Sequence, residues 1–381
     1  MSDPIYLDYN ATTPIHPEVA AAMRPVLEGI FGNPSSSHPY GREARRAVEQ
    51  GREQLAMLLG CPAETVVFTG GGTESNNLAI QGIAYARRDR GNHLVTTLVE
   101  HPAVAEVMSH LERQGFAVTR VGVDGDGRVD PAAIEAAITP ATTLLSVMHA
   151  NNEVGTVMDL ADIAAVARKH GIVFHTDAAQ SVGKIATGVD ELGVDLLSVA
   201  GHKLYAPKGV GALYIRPGTE LAKLFHGADH EAGRRPGTEN VLGIVGLGAA
   251  AELAAGDLGE HGEHLRALRD RLHEAIRAAL PNGAIRLNGH AEARLPNTLN
   301  LGFRGVEAAA LLAAVPGVAA SAGAACHSGD EDTSSVLGAM GVPTEYAGGA
   351  VRFSTGRGLT MQEVDRAGAE VVDAVARLLP H

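Results

Sequence analysis

The sequence predicts an α/β protein with a large domain built on a mainly parallel seven-stranded sheet and a smaller α+β C-terminal domain. Short β-rich runs alternate with helical patterns through the middle of the chain, which is typical of parallel sheets covered by helices. After about Ala249 this alternation gives way to a long helix followed by mixed strands and helices. The length of 381 residues also favours two domains over a single core.

Seven runs rich in β-branched and apolar residues predict the strands of the large sheet. They cover residues 65–70, 93–99, 117–123, 143–150, 171–178, 194–200 and 211–215. Amphipathic stretches such as NNLAIQGIAYARRD and DLADIAAVARKHG separate several of these runs and predict helices. Because ligands of such sheets bind at the carboxyl ends of the strands, functional residues are expected just after each run.

The C-terminal part begins with EHGEHLRALRDRLHEAIRAAL, which predicts a long amphipathic helix that ends at Pro281. Two strand patterns, TLNLGF and AVRFST, and two helical patterns, VEAAALLAAV and MQEVDRAGAEVVDAVARLL, follow it. This mixture predicts a separate, smaller domain that starts near residue 251.

The bulk composition limits the classes of protein and partner. With 45% hydrophobic and 20% charged residues the chain is typical of soluble globular proteins, and its net charge of −13 argues against a nucleic-acid-binding surface. The most apolar stretches are interrupted by Glu252 and by Pro316 and Gly317, so we expect no membrane span. The first residues lack a secretion-signal pattern and two cysteines make no disulfide framework, so a cytoplasmic location is expected.

The segment FTGGGTESNNLAI predicts a strand-to-helix turn that can bind an anion. Gly70, Gly71 and Gly72 let backbone N–H groups approach a phosphate, and a helix N-terminus favours negative charge. Thr73 could either bind a phosphate oxygen or cap the helix. A plain turn with an N-cap is the alternative interpretation, since the pattern matches no nucleotide-binding glycine motif.

Asp177 and Lys203 follow two neighbouring predicted strands, where charged groups are costly unless they find partners. They could form a buried ion pair, or a cofactor could lie between them. A phosphate-binding turn, a carboxylate for a ring nitrogen and an amine for an aldehyde are together what pyridoxal phosphate requires. We therefore predict a pyridoxal phosphate site, in which a buried Lys203 would have a lowered pKa.

Three further residues are candidates for the chemistry. His101 follows a strand at the same edge and could stack on a flat ring or be structural. Cys326 begins a polar, acidic stretch that suits a nucleophile which must approach and withdraw. Arg352 in a strand could bind a substrate carboxylate or form a structural salt bridge. His226 and His230 have metal-like spacing, but no further ligand set accompanies them, so no metal site is predicted.

These motifs together resemble the cysteine desulfurase and selenocysteine lyase group of fold-type-I pyridoxal phosphate enzymes. The resemblance covers nearly the whole chain and rests on YLDYNATTPIHPEV, GNPSSSH, FTGGGTESNNLAI, EHPAV, ANNEVGTV, HTDAAQSVGKI, GHKLYAPKGVGALYI, RRPGTENV, LPNTLNL, SAGAACHS and VRFSTGR. It implies a fold-type-I transferase in which residues 15–250 form the large domain. Residues 1–14 and 251–381 would form the small domain that carries the catalytic cysteine.

The resemblance also implies roles for individual residues. Lys203 would form a Schiff base with the cofactor, His101 would stack on its ring and assist proton transfer, and Cys326 would accept the sulfur. Asp177 would bind the ring nitrogen and Gln180 the phenolic oxygen. The other implied cofactor contacts are Gly72, Thr73, Asn152, His202 and, across a homodimer interface, Thr238. The implied substrate contacts are Asn10, Asn152 and Arg352.

The implied activity removes sulfur from L-cysteine, giving L-alanine and a persulfide on Cys326 for an acceptor protein. The alternative is a selenocysteine lyase that releases selenide and L-alanine from L-selenocysteine, since AACHS and RPGTEN also resemble those enzymes. The sequence departs from the usual desulfurase pattern at Ala200, Ala232 and His327. The acceptor could be an iron–sulfur cluster scaffold or a tRNA-thiolation protein, and the acidic residues after Cys326 could dock it or be a solvated loop.

Overall fold

The computed structural model describes residues 3–322 and 334–379 of the chain. Its strands are β1 (Ile5–Tyr6), β2 (Val66–Thr69), β3 (His93–Thr97), β4 (Ala117–Val121), β5 (Thr142–Ser146), β6 (Val173–Asp177), β7 (Leu196–Ala200), β8 (Gly211–Ile215), β9 (Ile285–Asn288), β10 (Thr298–Phe303), β11 (Val318–Ala319), β12 (Ser321–Ala322) and β13 (Ala350–Ser354). Its α-helices are α1 (Pro17–Glu28), α2 (Pro39–Leu59), α3 (Gly72–Ala86), α4 (Pro102–Arg113), α5 (Pro131–Ala137), α6 (Leu160–His170), α7 (Val189–Leu192), α8 (Val241–Ala279), α9 (Ala308–Ala314), α10 (Ser335–Ala339), α11 (Thr344–Ala347) and α12 (Met361–Leu378). Short 3-10 helices lie at Ala63–Thr65, Gly201–Lys203 and Glu231–Gly233.

The seven predicted strands form one sheet, as the sequence predicts. They are β2 to β8, in the order β2-β8-β7-β6-β5-β3-β4. Strand β8 runs antiparallel to both of its neighbours, and the other pairings of this sheet are parallel. The prediction of a mainly parallel seven-stranded sheet is therefore confirmed.

Helices cover both faces of this sheet because its strands are apolar on both sides. Within β7, Leu196 packs in the cluster that includes α3 and α4, whereas Leu197 packs in the cluster that includes α2, α6 and the first part of α8. Leu144 and Leu145 of β5 divide between the two clusters in the same way. Successive residues of a strand point to opposite faces, so an unbroken apolar run buries both sides.

A second, four-stranded antiparallel sheet has the order β12-β13-β10-β9. Leu272 of α8 and Val371 of α12 belong to the apolar cluster that packs against it. The N-terminal strand β1 pairs in parallel with β11, with Ile5 opposite Val318, so the first described residues lie against this C-terminal unit. The α+β character of the C-terminal part is confirmed, while the division at residue 250 stays a prediction.

Helix α8 is longer than the sequence predicts. It begins at Val241 instead of near Glu260, and its backbone departs from helical geometry at Asp257, with φ −138° and ψ 18°. The added first half is rich in glycine and alanine, which hides the helical period in the sequence. Contrary to our expectation, α8 is long and apolar enough to cross a membrane by length and composition alone. A buried core helix passes the same test, and Leu247 and Ala251 are fully buried.

Candidate active site

A cavity of about 370 Å³ lies where the carboxyl ends of several strands of the large sheet meet the N-terminal segment and strand β13. It brings together most of the residues that the sequence predicts for the site. These lining residues are Asn10, Gly72, Thr73, His101, Asn152, Asp177, Gln180, His202, Lys203 and Arg352. The cavity is thus assembled from both halves of the chain, and the role of each residue stays a prediction.

The start of helix α3 forms a cavity wall that suits an anion. Gly71 has φ 147°, which favours glycine, and it precedes the first helical residue, Gly72. A Cβ on Gly72 would lie 3.0 Å from the Cβ of Ala200, so glycine permits this close approach. The first N–H groups of a helix have no partner within it, so those of Gly72 and Thr73 can bind a phosphate. Thr73 lies in the first turn and does not cap the helix, because the N-cap is Gly71.

His202 also lines the cavity and lies on the 3-10 turn that follows β7. Its Nδ1 is 3.2 Å from the Oγ1 of Thr12. Burial, followed by the positive charges of Lys203 and Lys208, lowers the pKa of His202 to about 4. The imidazole is therefore neutral at pH 7 and can donate one N–H to a phosphate oxygen.

Asp177 ends strand β6 and is 5% exposed. One carboxylate oxygen accepts a hydrogen bond from Asn76 Nδ2 at 2.7 Å, and the other accepts one from the backbone N–H of Ala179 at 2.9 Å. Within the ranges that the structure describes, no salt bridge joins Asp177 to Lys203, so the ion-pair interpretation of the sequence is not supported. A buried carboxylate of this kind suits a protonated ring nitrogen.

Lys203 ends a short turn and does not lie in a buried strand, because β7 stops at Ala200. Lys203 is partly exposed and lines the cavity, which corrects the expectation of a fully buried amine. Its Nζ donates hydrogen bonds to the backbone carbonyls of Asn10, at 2.5 Å, and Ala11, at 2.7 Å. The N-terminal segment thus holds this amine at the cavity wall.

Gln180 connects Lys203 to a residue that the sequence analysis missed. Gln180 Nε2 donates to the Asn10 carbonyl at 3.0 Å, and Gln180 Oε1 accepts from Lys184 Nζ at 3.0 Å. Lys184 is 6% exposed, and burial lowers its pKa to about 7, with the charges of Lys203 and Arg352 acting in the same direction. The sequence feature that could have identified Lys184 is its position four residues after Gln180, within HTDAAQSVGKI.

His101 is the N-cap of α4, and its Nδ1 accepts a hydrogen bond from the N–H of Ala103 at 3.1 Å. A neutral ring in this position carries its proton on Nε2. The preceding Glu100 is 7% exposed, and burial raises its pKa to about 8. Glu100 Oε1 accepts from Thr97 Oγ1 at 2.8 Å and from the N–H of Met148 at 2.9 Å, so it ties the end of β3 to the segment after β5.

The sequence allows two roles for Arg352 on β13, a structural salt bridge and a contact to a substrate carboxylate. Its surroundings are compatible with both. Its Nη2 forms a salt bridge with Asp8 Oδ1 at 2.8 Å, and its Nη1 donates to the Asn152 carbonyl at 2.9 Å. The guanidinium also lines the cavity, and its buried Nε has no hydrogen-bond partner in the described part of the chain. Arg352 is therefore fixed by structural contacts and keeps a donor for a carboxylate. The sequence analysis missed Asp8.

Asn10 lines the cavity, and its side chain is engaged by the C-terminal unit. Asn10 is 1% exposed, and its amide bonds Thr298 Oγ1 at 2.8 Å and Asn297 Nδ2 at 2.9 Å. Its backbone carbonyl is the acceptor for both Gln180 and Lys203. Asn10 thus connects the C-terminal sheet to the amine at the cavity wall.

Two predicted site residues do not line the cavity in the described structure. Thr238 is exposed in the segment before α8. The nearby Glu231 and Ala232 have positive φ angles of 48° and 52°, and the Glu231 carboxylate is held by both Nη atoms of Arg52. Cys326 lies outside the described residues.

Comparisons with known proteins agree with this architecture. The aminotransferase class-V family matches residues 5–367. The cysteine desulfurase IscS of Dictyoglomus turgidum is 46% identical over 367 residues, which cover 96% of this chain and 93% of that protein. The cysteine desulfurase IscS of Anaeromyxobacter dehalogenans is 48% identical over 370 residues, which cover 96% of this chain and 91% of that protein.

Solved structures show the same fold. A NifS-like protein matches with a TM-score of 0.92 and 35% identity, covering 98% of this chain and 100% of that one. SspA in complex with cysteine matches with a TM-score of 0.81 and 36% identity, covering 92% of this chain and 98% of that one. The predicted fold and family resemblance are confirmed. The chain therefore belongs to the aminotransferase class-V family, in its cysteine desulfurase group.

Proposed function

We propose that this chain uses pyridoxal phosphate to remove sulfur from L-cysteine, giving L-alanine and a persulfide on Cys326. The observation that carries the proposal is the meeting of three groups in one cavity, namely the start of α3, the Asp177 carboxylate and the Lys203 amine. The relatives named above are cysteine desulfurases, which supports cysteine as the substrate. The cysteine in the SspA structure supports the same choice.

The residues present fit this cofactor. The N–H groups at the start of α3 suit its phosphate, and a side chain at Gly72 would press against Ala200. Asp177, which Asn76 orients, suits the ring nitrogen, and Lys203 Nζ is placed to hold the aldehyde covalently. When bound, pyridoxal phosphate supplies an electron sink for negative charge at the substrate α-carbon.

The side chains of this chain supply substrate binding and proton transfer. Arg352 binds the substrate carboxylate, and the Lys203 amine accepts the proton from the α-carbon. The carbonyls of Asn10 and Ala11 hold that amine in place. The Cys326 thiolate then attacks the substrate sulfur. The electron pair of the broken C–S bond stays with the substrate β-carbon, which is protonated, and Lys203 returns its proton to the α-carbon to give alanine.

We also infer a homodimer, a cytoplasmic location and a sulfur-acceptor protein. The exposure of Thr238 outside the cavity of its own chain supports the dimer, since a second copy could then receive this side chain at its phosphate site. Cross-linking and mass measurement in solution would test the dimer.

The acceptor protein follows from the chemistry of the product. A persulfide is a form of sulfur that a thiolate of another protein can accept by exchange.

The first test is Lys203→Ala, expressed with pyridoxal phosphate and compared with the wild type. The wild type is expected to show the visible absorbance of a lysine-bound cofactor, and the variant is expected to lose it because no amine holds the aldehyde. Borohydride reduction and mass spectrometry are expected to locate a pyridoxyl group at position 203. Lys208→Ala, at an exposed lysine, is the control. A colourless wild type without the adduct contradicts the proposal.

The second test is Cys326→Ala, which is expected to retain the cofactor absorbance and to lose alanine release from L-cysteine. The thiolate is the only group proposed to accept sulfur, so its removal leaves the C–S bond intact. Assays with L-cysteine and L-selenocysteine, measuring alanine with sulfide or selenide, determine which substrate is preferred. Desulfuration at the wild-type rate in the variant would remove Cys326 from the reaction.

A further inference from the structure

A buried lysine without an acidic partner lies beside the cavity. Lys184 is 6% exposed, and no salt bridge joins it to a carboxylate within residues 3–322 and 334–379. Among the described residues, the ionisable groups that interact electrostatically with it are Lys203, Arg352, His202 and His261. All four are basic, so the surroundings do not compensate a positive charge on Lys184.

Burying an amine without a counter-ion costs free energy, and a methionine of similar length would avoid this cost. The contact that the Lys184 side chain does make is the hydrogen bond from Nζ to Gln180 Oε1, at 3.0 Å. Gln180 is itself 5% exposed and lines the cavity. The position of the amine therefore indicates a role that is exerted on Gln180.

The hydrogen bond from Lys184 determines which way the Gln180 amide points. A lysine ammonium only donates and the Asn10 carbonyl only accepts, so Oε1 faces Lys184 and Nε2 faces Asn10. The same carbonyl accepts from Lys203 Nζ. A continuous chain of hydrogen bonds thus runs from Lys184 through Gln180 and Asn10 to Lys203.

We propose that Lys184 is a positioning residue of this site, which fixes the Gln180 amide with its Nε2 donor on the side of Asn10 and the cavity. This inference rests on the proposed function. Without Lys184, the Asn10 carbonyl alone orients the Gln180 amide, and Oε1 loses the donor that holds it. An oxygen atom of the bound cofactor would then meet a donor whose position is less well fixed.

The test is a double-mutant cycle of Lys184→Met and Gln180→Ala in the full-length chain, read as the dissociation constant of pyridoxal phosphate. Lys184→Met is expected to weaken binding about tenfold, since the site loses the benefit of one charge-assisted hydrogen bond. In the Gln180→Ala background it is expected to add little, because Lys184 acts through Gln180. Lys169→Met, at an exposed lysine of α6, is the matched control.

An equal effect of Lys184→Met in both backgrounds, or no effect at all, overturns the inference. Circular dichroism and thermal unfolding check the fold of each variant, and removal of an unpaired buried amine is expected not to lower Tm. If Lys184→Met does not fold, Lys184→Gln replaces it in the same cycle. A wild-type chain that does not bind pyridoxal phosphate contradicts the proposed function instead, so the two failures are distinguishable.

Discussion

Arg352 shows, at the scale of one residue, how structural contacts can leave a side chain ready for a ligand. Asp8 binds Nη2 and the Asn152 carbonyl binds Nη1, while the buried Nε has no partner in the described ranges. Each Nη of a guanidinium carries two N–H groups, so these contacts do not use every donor of Arg352. A substrate carboxylate in the cavity is the group that we expect the remaining Nη donors to bind.

We predict that Arg352→Lys raises the KM for L-cysteine about tenfold or more and changes kcat less. Lysine keeps the charge but loses the planar donors that bind a carboxylate, and one charge-assisted hydrogen bond corresponds to about this factor. Steady-state alanine release measures both constants. Arg357→Lys is the control, because Arg357 pairs with Asp257 and does not line the cavity. A KM equal to that of the wild type would leave Arg352 a purely structural role.

Two of the residues that the sequence analysis missed, Asn76 and Asp8, have partners far away along the chain. Asn76 meets Asp177 across 101 positions, and Asp8 meets Arg352 across 344 positions. A sequence pattern shows which residue types lie in a strand or at its end, and this was enough to predict Asp177 and Arg352. It does not show which distant side chain the fold brings to them, so their partners became visible only in the structure.

At the scale of elements, a buried ion pair between Glu231 and Arg52 helps to hold the segment before α8. Glu231 accepts hydrogen bonds from both Nη atoms of Arg52, at 2.7 and 2.8 Å, and from the N–H of Phe68 at 2.8 Å. The Arg52 guanidinium also lies over the Phe68 ring, 4.8 Å from its centroid. Glu231 and Ala232 adopt left-handed φ angles, which cost free energy in residues other than glycine, and these contacts offset that cost.

We predict that Glu231→Gln lowers the free energy of unfolding by about 1.5–3 kcal/mol, because Arg52 loses its buried counter-ion and keeps only the more exposed Glu49. Urea unfolding followed by circular dichroism measures the change. Asp229→Asn is the control, since it breaks only an exposed ion pair with Lys223 and is expected to have little effect. Equal effects of the two substitutions would show that Glu231 does not hold this segment.

The sequence predicts some elements better than others, because the pattern of apolar and polar residues is clearer in some of them. The seven strands of the large sheet were predicted because unbroken apolar runs between turn residues are typical of strands buried on both faces. The first half of α8 was not predicted, because glycine and alanine give no contrast between a buried and an exposed face. In the structure, α8 packs against α1 and α2. These contacts stabilise the helix, although the sequence of its first half shows no amphipathic pattern.

At the scale of the whole molecule, several ionisable groups are buried in their uncharged forms. Burial lowers the pKa of six histidines: to about 4 in His149, His202 and His261, to about 3 in His175, and in the same direction in His93 and His273. Burial also raises the pKa of two glutamates, Glu100 to about 8 and Glu153 to about 7. The stability of the protein is therefore coupled to pH, and the two groups of residues act in opposite directions.

The histidines are expected to make the protein less stable as the pH falls from about 6.5 to about 4.5. In this window a histidine of the unfolded chain binds a proton, whereas the buried ones do not until about pH 4, so acid favours unfolding. The two glutamates oppose this, because they keep their protons in the folded state and lose them above about pH 4.5 when unfolded. The histidines outnumber the glutamates, so the free energy of unfolding is expected to slope downward as the pH falls through this window.

Urea unfolding at pH 7, 6 and 5 measures this slope directly. His175→Gln is expected to reduce it by nearly one proton, because the ring of His175 lies fully buried between Ser146 and Ser198 and stays neutral in the folded state. His226→Gln, at an exposed histidine, is the control. A free energy of unfolding that rises between pH 6.5 and 4.5 would mean that the buried glutamates, and not the histidines, determine the acid stability of this fold.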